Sequence, residues 1–226
     1  MKKNLIVLAI SLMAFAQVSV AQVSEYKKQQ SIYSKALTYN DYTVARTALF
    51  NMMELQPNNN GLLDTLALLY FEQRQYISSG IVAQEAAQKN PNNLLALELA
   101  GTSFENVGLR DKALEHFEKL YLKNQKISVL YKIAFLQYQM KRYNDADASS
   151  DIIIKDPEAL ELPMVFGKSD KTTQQVKMIA AAYRVKALVA YDQQKKEVAL
   201  QYFKKALEYS PEFEIAASAV TELEKG

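Results

Sequence analysis

Residues 60–93 have the sequence NGLLDTLALLYFEQRQYISSGIVAQEAAQKNPNN, in which two helices can be recognised. The first half places residues at three- and four-residue spacing on one face, namely Leu63, Leu66, Ala67 and Tyr70. The second half uses similar spacing with Tyr76, Ser79, Ala83 and Ala86. Arg74 and Gln75 form a short turn between the halves, and Pro91 ends the second helix because proline cannot continue one. The stretch therefore predicts a helix-turn-helix unit.

The same unit recurs along the chain at a period of 34 residues. The residues that keep this step are Leu63, Leu97 and Tyr131; Tyr70, Phe104 and Tyr138; Tyr42 and Tyr76; and Pro57 and Pro91. Small residues recur at steps of 34, 34 and 33 residues, at Ala45, Ser79, Ala113 and Ala146. Paired helices approach closely only where side chains are small, so we expect Ala113→Leu to be more disruptive than Ala96→Leu. A fixed period of this length predicts an all-α solenoid, in which each unit buries its apolar face against its neighbours.

These residues resemble the tetratricopeptide repeat family. The second half of a fifth unit carries the same pattern, at Ala199, Phe203, Ala206 and Pro211. The resemblance implies a right-handed α-α superhelix of five helix-turn-helix repeats, at about residues 26–59, 60–93, 94–127, 128–157 and 180–211. Residues 212–225 read as one more amphipathic helix, similar to the helix that caps such arrays. Residues 22–226 would form a single solenoid domain.

The period breaks once, at an insertion over residues 158–177. Met164-Val165-Phe166 and Thr173 to Val176 flank the segment Gly167-Lys168-Ser169-Asp170, which favours a β-hairpin. The alternative is a loop followed by a helix that Thr172 or Thr173 caps.

Residues 1–21 have the pattern of a secretory signal peptide. Lys2 and Lys3 form a basic start, Leu5 to Ala16 is apolar, and Ser19-Val20-Ala21 supplies the small residues of a cleavage site. The apolar run is shorter than the roughly 20 residues that span a bilayer. We therefore expect an exported, periplasmic protein without an integral membrane segment in its mature chain. Secretion or peripheral attachment to the outer membrane is the alternative.

Charge and cysteine content narrow the functional classes. Without Lys2 and Lys3, the mature chain has 25 basic and 25 acidic residues, which gives no reason to expect a nucleic acid partner. The chain has no cysteine, so disulfides, thiolate catalysis and cysteine-ligated zinc are excluded.

Three patterns that could carry chemistry have simpler interpretations. Gly167-Lys168-Ser169 resembles the end of a phosphate-binding loop, but Leu162 stands where that motif needs a glycine. His116 is the only histidine, and we expect it on or near the solvent face. Asp145, Asp147 and Asp151 come nearest to a metal cluster, yet a solvated acidic edge is the simpler interpretation. We expect no cofactor, no metal and no catalytic residue.

The resemblance also implies a concave groove, because positions 5, 9 and 12 of each first helix face it in this family. In this chain those positions are Asp64, Leu68 and Phe71; Glu98, Thr102 and Glu105; Lys132, Leu136 and Gln139; and Arg184, Leu188 and Tyr191. Phe71 and Tyr191 would be aromatic anchors for a partner, whereas Tyr70 would be a packing residue.

A surface that mixes apolar anchors with both signs of charge suits a peptide or an extended protein segment. The predicted function is therefore a non-catalytic interaction scaffold that binds a protein or peptide partner in its groove. Self-assembly into homo-oligomers, through the insertion or an exposed end, is the alternative.

Overall fold

The structure is a computed structural model that describes residues 22–225, so the predicted signal peptide lies outside the described residues. Residues 22–38 form helix α1. The helices that follow are α2 (Tyr42–Leu55), α3 (Gly61–Glu72), α4 (Tyr76–Lys89), α5 (Leu94–Asn106), α6 (Arg110–Asn124), α7 (Ile127–Gln139), α8 (Tyr143–Lys155), α9 (Met178–Asp192), α10 (Lys196–Tyr209) and α11 (Glu214–Lys225). Within residues 22–225, no helix is both long and apolar enough to cross a membrane.

A β-hairpin lies between α8 and α9, as the sequence predicted. Strand β1 (Pro163–Gly167) pairs antiparallel with β2 (Thr173–Lys177), after a short 3-10 turn at Pro157–Leu160. The residues on one face of the hairpin are more buried than those on the other, because side chains alternate across a strand. The alternative of a loop with a capped helix is therefore wrong.

The described chain divides into two compact units, with the boundary inside α5, between Ser103 and Phe104. The core of the first unit includes Ala45, Leu49, Leu62, Leu66 and Leu69, with Tyr70 packed against it. The core of the second unit includes Phe104, Phe117, Leu120, Ile153, Val185 and Phe203. These apolar residues are buried by helix pairs in each unit, which is the helix-on-helix packing that a solenoid requires.

The turn inside each helix pair has one backbone conformation. A residue with positive φ occupies each turn, at Asn40, Arg74, Gly108, Lys141 and Gln194. In the second pair, the Gln75 N–H donates to the Tyr70 carbonyl at 2.9 Å, and the Arg74 N–H donates to the Phe71 carbonyl at 2.9 Å. These two bonds satisfy carbonyls at the end of α3 that would otherwise lack partners.

The structure removes the basis of one expectation about an individual residue and contradicts another. Ala96 is as completely buried as Ala113, at 0% exposure, so it offers no more room for leucine. His116 lies in the core rather than at the surface, 4% exposed. Its Nδ1 donates to the Lys112 carbonyl at 2.8 Å, and its ring lies 5.6 Å from that of Phe104. Burial is tolerated because the polar edge of the ring has a partner.

Two of the three aspartates considered for a metal site bind a lysine instead. The Lys186 ammonium lies 2.7 Å from Asp147 and 2.6 Å from Asp151, whose side chains are on successive turns of α8. Within residues 22–225, no group of three or more carboxylate or histidine side chains is arranged to hold a metal. The pair on α8 is therefore a structural ion-pair site that joins α8 to α9.

Candidate protein-binding surface

In the first unit, one face of α3 carries three of the predicted groove residues, Asp64, Leu68 and Phe71. Leu68 is 40% exposed. Phe71 is half-buried because its ring meets the Tyr76 ring edge-on, with centroids 5.3 Å apart. The exposed anchor on α3 is therefore Leu68, and Phe71 contributes only part of its ring.

Asp64 is held in place by Asn93, at the start of α5. The Asn93 amide donates to both carboxylate oxygens of Asp64 at 2.8 Å, while its own carbonyl oxygen accepts from the Ala96 N–H at 3.1 Å. One side chain thus caps α5 and fixes the α3 carboxylate. This contact places the faces of α3 and α5 next to each other.

The adjoining face of α5 carries Leu95, Glu98 and Thr102, at helical spacing. Leu95 is 47% exposed and Glu98 is exposed, whereas Thr102 is half-buried. Leu95 was not among the predicted groove residues, because only three positions of each first helix were considered. The leucine pair Leu94-Leu95 was a signal in the sequence, since the apolar stripe of α5 already comprises Ala96, Leu97 and Ala100.

The charge on this surface has one sign. The charged residues of α3 are Asp64 and Glu72, and the charged residue of α5 within residues 94–103 is Glu98. Neither segment contains a lysine or an arginine. Two exposed leucines therefore lie among carboxylates. We name Asp64, Leu68, Leu95 and Glu98 the α3–α5 surface.

In the second unit, the predicted polar groove residues contact one another or their neighbours. Lys132 lies 3.5 Å from Glu105, and its ammonium also sits 5.0 Å from the centroid of the Phe117 ring. Gln139 accepts from the Arg110 guanidinium at 3.1 Å. Because these groups already have partners, a ligand would have to displace those contacts in order to use them.

Arg184 is enclosed by aromatic rings. Its guanidinium lies 5.5 Å from the ring centroid of Phe135 on α7 and 5.6 Å from that of Phe166 on the hairpin. The Nε atom is buried without a hydrogen-bond partner in the described chain. Burial raises the pKa of the nearby Tyr131 hydroxyl, although the charge of Arg184 opposes that rise. Arg184 therefore attaches the hairpin to the helices, and it is not free for a partner.

The other predicted residues of the second unit differ in exposure. Leu136 is 0% exposed and belongs to the core, so its assignment to a groove is corrected. Leu188 is half-buried, and Tyr191 is 43% exposed. The hairpin accounts for Arg184 alone, since the Phe166 ring lies 5.6 Å from its guanidinium, and an insertion has no counterpart in the repeat pattern from which this contact could be predicted. The α3–α5 surface is thus the better candidate for binding a partner.

Comparison with protein-family models finds no match, and comparison with curated proteins finds no relative. Comparison with solved structures finds tetratricopeptide repeat proteins. A tetratricopeptide repeat protein from Parabacteroides merdae ATCC 43184 is 18% identical, with a TM-score of 0.64 over 88% of this chain and 72% of that one. MamA is 17% identical, with a TM-score of 0.63 over 83% of this chain and 92% of that one. YrrB, described as having an unusual peptide-binding site, is 14% identical, with a TM-score of 0.64 over 83% of this chain and 87% of that one. The chain has the tetratricopeptide repeat fold.

Proposed function

We propose that this protein is a non-catalytic scaffold that binds an extended protein segment on the α3–α5 surface. The observation that carries the proposal is the exposure of Leu68 and Leu95, at 40% and 47%, on adjoining helices. Exposed leucines leave apolar area in water, and such area is favourable to cover with a partner. The similar fold of YrrB, a protein with a peptide-binding site, supports this choice of function.

The chemistry of the surface selects the partner. Asp64 and Glu98 provide negative charge beside the two leucines, so the bound segment should combine leucine-like side chains with lysine or arginine. Helical residues hold the surface in advance of binding, which reduces the ordering entropy that association loses. Recognition would follow the pattern of side-chain anchors on a preformed groove.

Export belongs to the same proposal. The basic start, the short apolar run and Ser19-Val20-Ala21 support cleavage before Gln22 and a role in the periplasm. N-terminal sequencing of the protein recovered from cells tests this directly. A chain that still begins at Met1 would contradict export through signal cleavage.

Site-specific photo-cross-linking in cells tests the binding surface. A photoreactive amino acid is placed at position 68 or 95, and the matched control carries it at position 122, because Leu122 on α6 is 74% exposed. We expect positions 68 and 95 to cross-link to the same segment of one partner, and position 122 to give no such product. Equal cross-linking from all three positions would contradict a specific site.

Charge reversal provides the second arm of this experiment. Glu98→Lys should weaken capture of the cross-linked segment, whereas Glu115→Lys on α6 should leave it unchanged. Circular dichroism of both variants checks that the helices persist. If Glu98→Lys captures the segment as well as the natural protein does, the charge of Glu98 does not contribute to binding. The contribution of Leu68 and Leu95 is then tested by cross-linking alone.

A further inference from the structure

Asn60 and Gly61 form the only Asn-Gly pair in the chain, and they lie where helix α3 begins. Both residues are exposed, as are Asn58 and Asn59 before them. Asn60 is the N-cap of α3, yet its side chain makes no capping hydrogen bond within residues 22–225. The amide carbon of Asn60 is therefore accessible to the neighbouring backbone.

The nearest nucleophile is the backbone nitrogen of Gly61. Its N–H is one of the donors that a helix start leaves without an intrahelical acceptor, and no group within residues 22–225 accepts from it. Glycine has no Cβ, so no side chain shields this nitrogen from the Asn60 amide. Attack on the amide carbon would close a succinimide ring.

A single backbone hydrogen bond among the described residues holds the Asn60 carbonyl against ring closure. Asn60 has ψ of −20°, and the peptide between Asn60 and Gly61 must rotate to bring the Gly61 nitrogen against the side chain. The rotation breaks the bond from the Leu63 N–H to the Asn60 carbonyl, which measures 3.1 Å. Glycine can absorb the compensating change in φ, and opening an exposed helix end costs little free energy. The helix start therefore slows the reaction without preventing it.

We propose that Asn60 is a site of spontaneous deamidation. The Gly61 nitrogen loses its proton to water and bonds to the Asn60 amide carbon. The bond from that carbon to Nδ2 breaks, and Nδ2 leaves as ammonia after accepting a proton. Water then opens the succinimide at one of its two carbonyls, so that opening at the side-chain carbonyl gives aspartate and opening at the main-chain carbonyl gives isoaspartate. One water is consumed and one ammonia is released, with no change of oxidation state.

The two products differ in their effect on α3. Either product places a new carboxylate one helical turn before Asp64. Negative charge is favourable at a helix N-terminus, so the aspartate form should leave α3 intact. Isoaspartate lengthens the main chain by one methylene group directly before Gly61, and it should loosen the first turn of α3.

Peptide mapping by mass spectrometry tests the proposal during prolonged incubation of the purified protein in neutral buffer. Asn58 and Asn59 are internal controls, because both are exposed and each is followed by an asparagine whose Cβ crowds the attacking nitrogen. Asn93 is a third control, because its amide already donates to Asp64. We expect Asn60 to convert several times faster than these three, and to yield both aspartate and isoaspartate. Conversion of Asn60 no faster than that of Asn58 and Asn59 would overturn the proposal.

Gly61→Ala is the matched variant, because it keeps Asn60 and shields the attacking nitrogen. An added Cβ would meet only the exposed Asn59 side chain, with its Oδ1 at 3.4 Å, and alanine favours a helix, so the variant should fold. Circular dichroism checks the helices. We expect Gly61→Ala to lose most of the conversion at Asn60, and conversion at the natural rate would overturn the role of Gly61.

Incubation of the natural protein in urea separates the effect of the helix start from that of the sequence. The folded protein should convert more slowly than the unfolded chain, since the bond to Leu63 must first open, but it should still convert measurably. Conversion confined to the unfolded chain would overturn the proposal for the folded protein. These measurements need no binding partner, so their outcome is independent of the proposal for the α3–α5 surface.

Discussion

The Lys186 ammonium lies 2.6 Å from the Asp151 carboxylate and 2.7 Å from the Asp147 carboxylate. Lys186 is only 5% exposed, and its ammonium also lies 5.2 Å from the centroid of the Tyr202 ring. Burial by itself lowers the pKa of Lys186, but its bonds to Asp147 and Asp151 outweigh that effect and raise the pKa above the ordinary value. The lysine is thus charged and joins α8 to α9.

Lys186→Ala should lower the free energy of unfolding by roughly 2–4 kcal/mol, through lost packing and two carboxylates without a partner. Lys186→Met should lower it less, because methionine keeps most of the buried stem. Adding Asp147→Asn and Asp151→Asn to Lys186→Met should recover part of the loss by removing repulsion across one helical turn. Urea denaturation measures all three. A Lys186→Met variant as stable as the natural protein would show that the ion pairs give no net stability.

The ion pair also has a definite pH dependence. Because the pKa of Lys186 is raised in the folded state, its ion pairs stabilise that state fully below the unfolded pKa of about 10.4. This stabilisation is lost as the pH rises through the raised value. We therefore expect the stability difference between the natural protein and Lys186→Met to stay constant from neutral pH to pH ~9. Denaturation series at several pH values test this, and a difference that shrinks within that range would contradict the charge assignment.

The positive-φ residues in the turns offer a way to stabilise the fold. Arg74 has φ of 55°, a conformation that costs a side-chain-bearing residue roughly 1–2 kcal/mol, while glycine adopts it freely. Glycine loses about 0.5–1 kcal/mol of unfolded-state entropy, so Arg74→Gly should stabilise the protein by roughly 0.5 kcal/mol.

Gly108→Ala is the matched reverse test. Gly108 has φ of 75°, and an added Cβ would meet no atom within 4 Å, so any cost comes from the backbone alone. Gly108→Ala should therefore be destabilising by roughly 0.5 kcal/mol, which is the backbone cost of about 1–2 kcal/mol less the roughly 0.5–1 kcal/mol of unfolded-state entropy that the glycine had. Thermal denaturation compares the two variants, and shifts of the same sign would contradict this account of the turns.

The repeat pattern predicted the features that all repeats have in common. It did not predict the burial or the contacts of several individual residues. Ala113 was identified as a required small residue because small residues recur at its position in the other units. The position of Ala96 is buried in each neighbouring unit too, at Leu62 and Leu130, but the size of its residue varies, so the repeat pattern did not mark it. Leu136 was assigned to a groove by position, yet it is in the core. The hairpin was predictable from its turn and flanking strands. Its contact with Arg184 was not, because residues from an insertion have no assigned neighbour in a repeat.

Acid should loosen the turn of the hairpin. Hydrogen bonds from Ser169 lower the pKa of Glu214, and hydrogen bonds from Thr172 lower the pKa of Asp170. Because the pKa of each carboxyl is lowered in the folded state, its hydrogen bonds stabilise that state fully above the unfolded pKa of about 4. This stabilisation is lost as the pH falls through the lowered value. Hydrogen exchange at the Ser169 amide should therefore be protected at neutral pH and lose protection in that acidic range. Glu214→Gln should flatten this pH dependence, and an unchanged profile would contradict the role of Glu214.

At the α3–α5 surface, the charged residue should mainly affect the association rate of the bound segment, and the apolar residue should mainly affect its dissociation rate. Glu98 is exposed and acts at a distance on a basic segment, so Glu98→Gln should slow association and weaken its dependence on salt, since screening has less charge to act on. Leu95 acts only on contact, so Leu95→Ala should speed dissociation and leave the salt dependence unchanged. The loss should be about 1–2 kcal/mol, because the side chain is half exposed before binding. Surface plasmon resonance with a synthetic peptide of the cross-linked segment measures both rates, with Leu122→Ala as the control. If Leu95→Ala and Leu122→Ala dissociate at the same rate as the natural protein, Leu95 makes no contact with the segment.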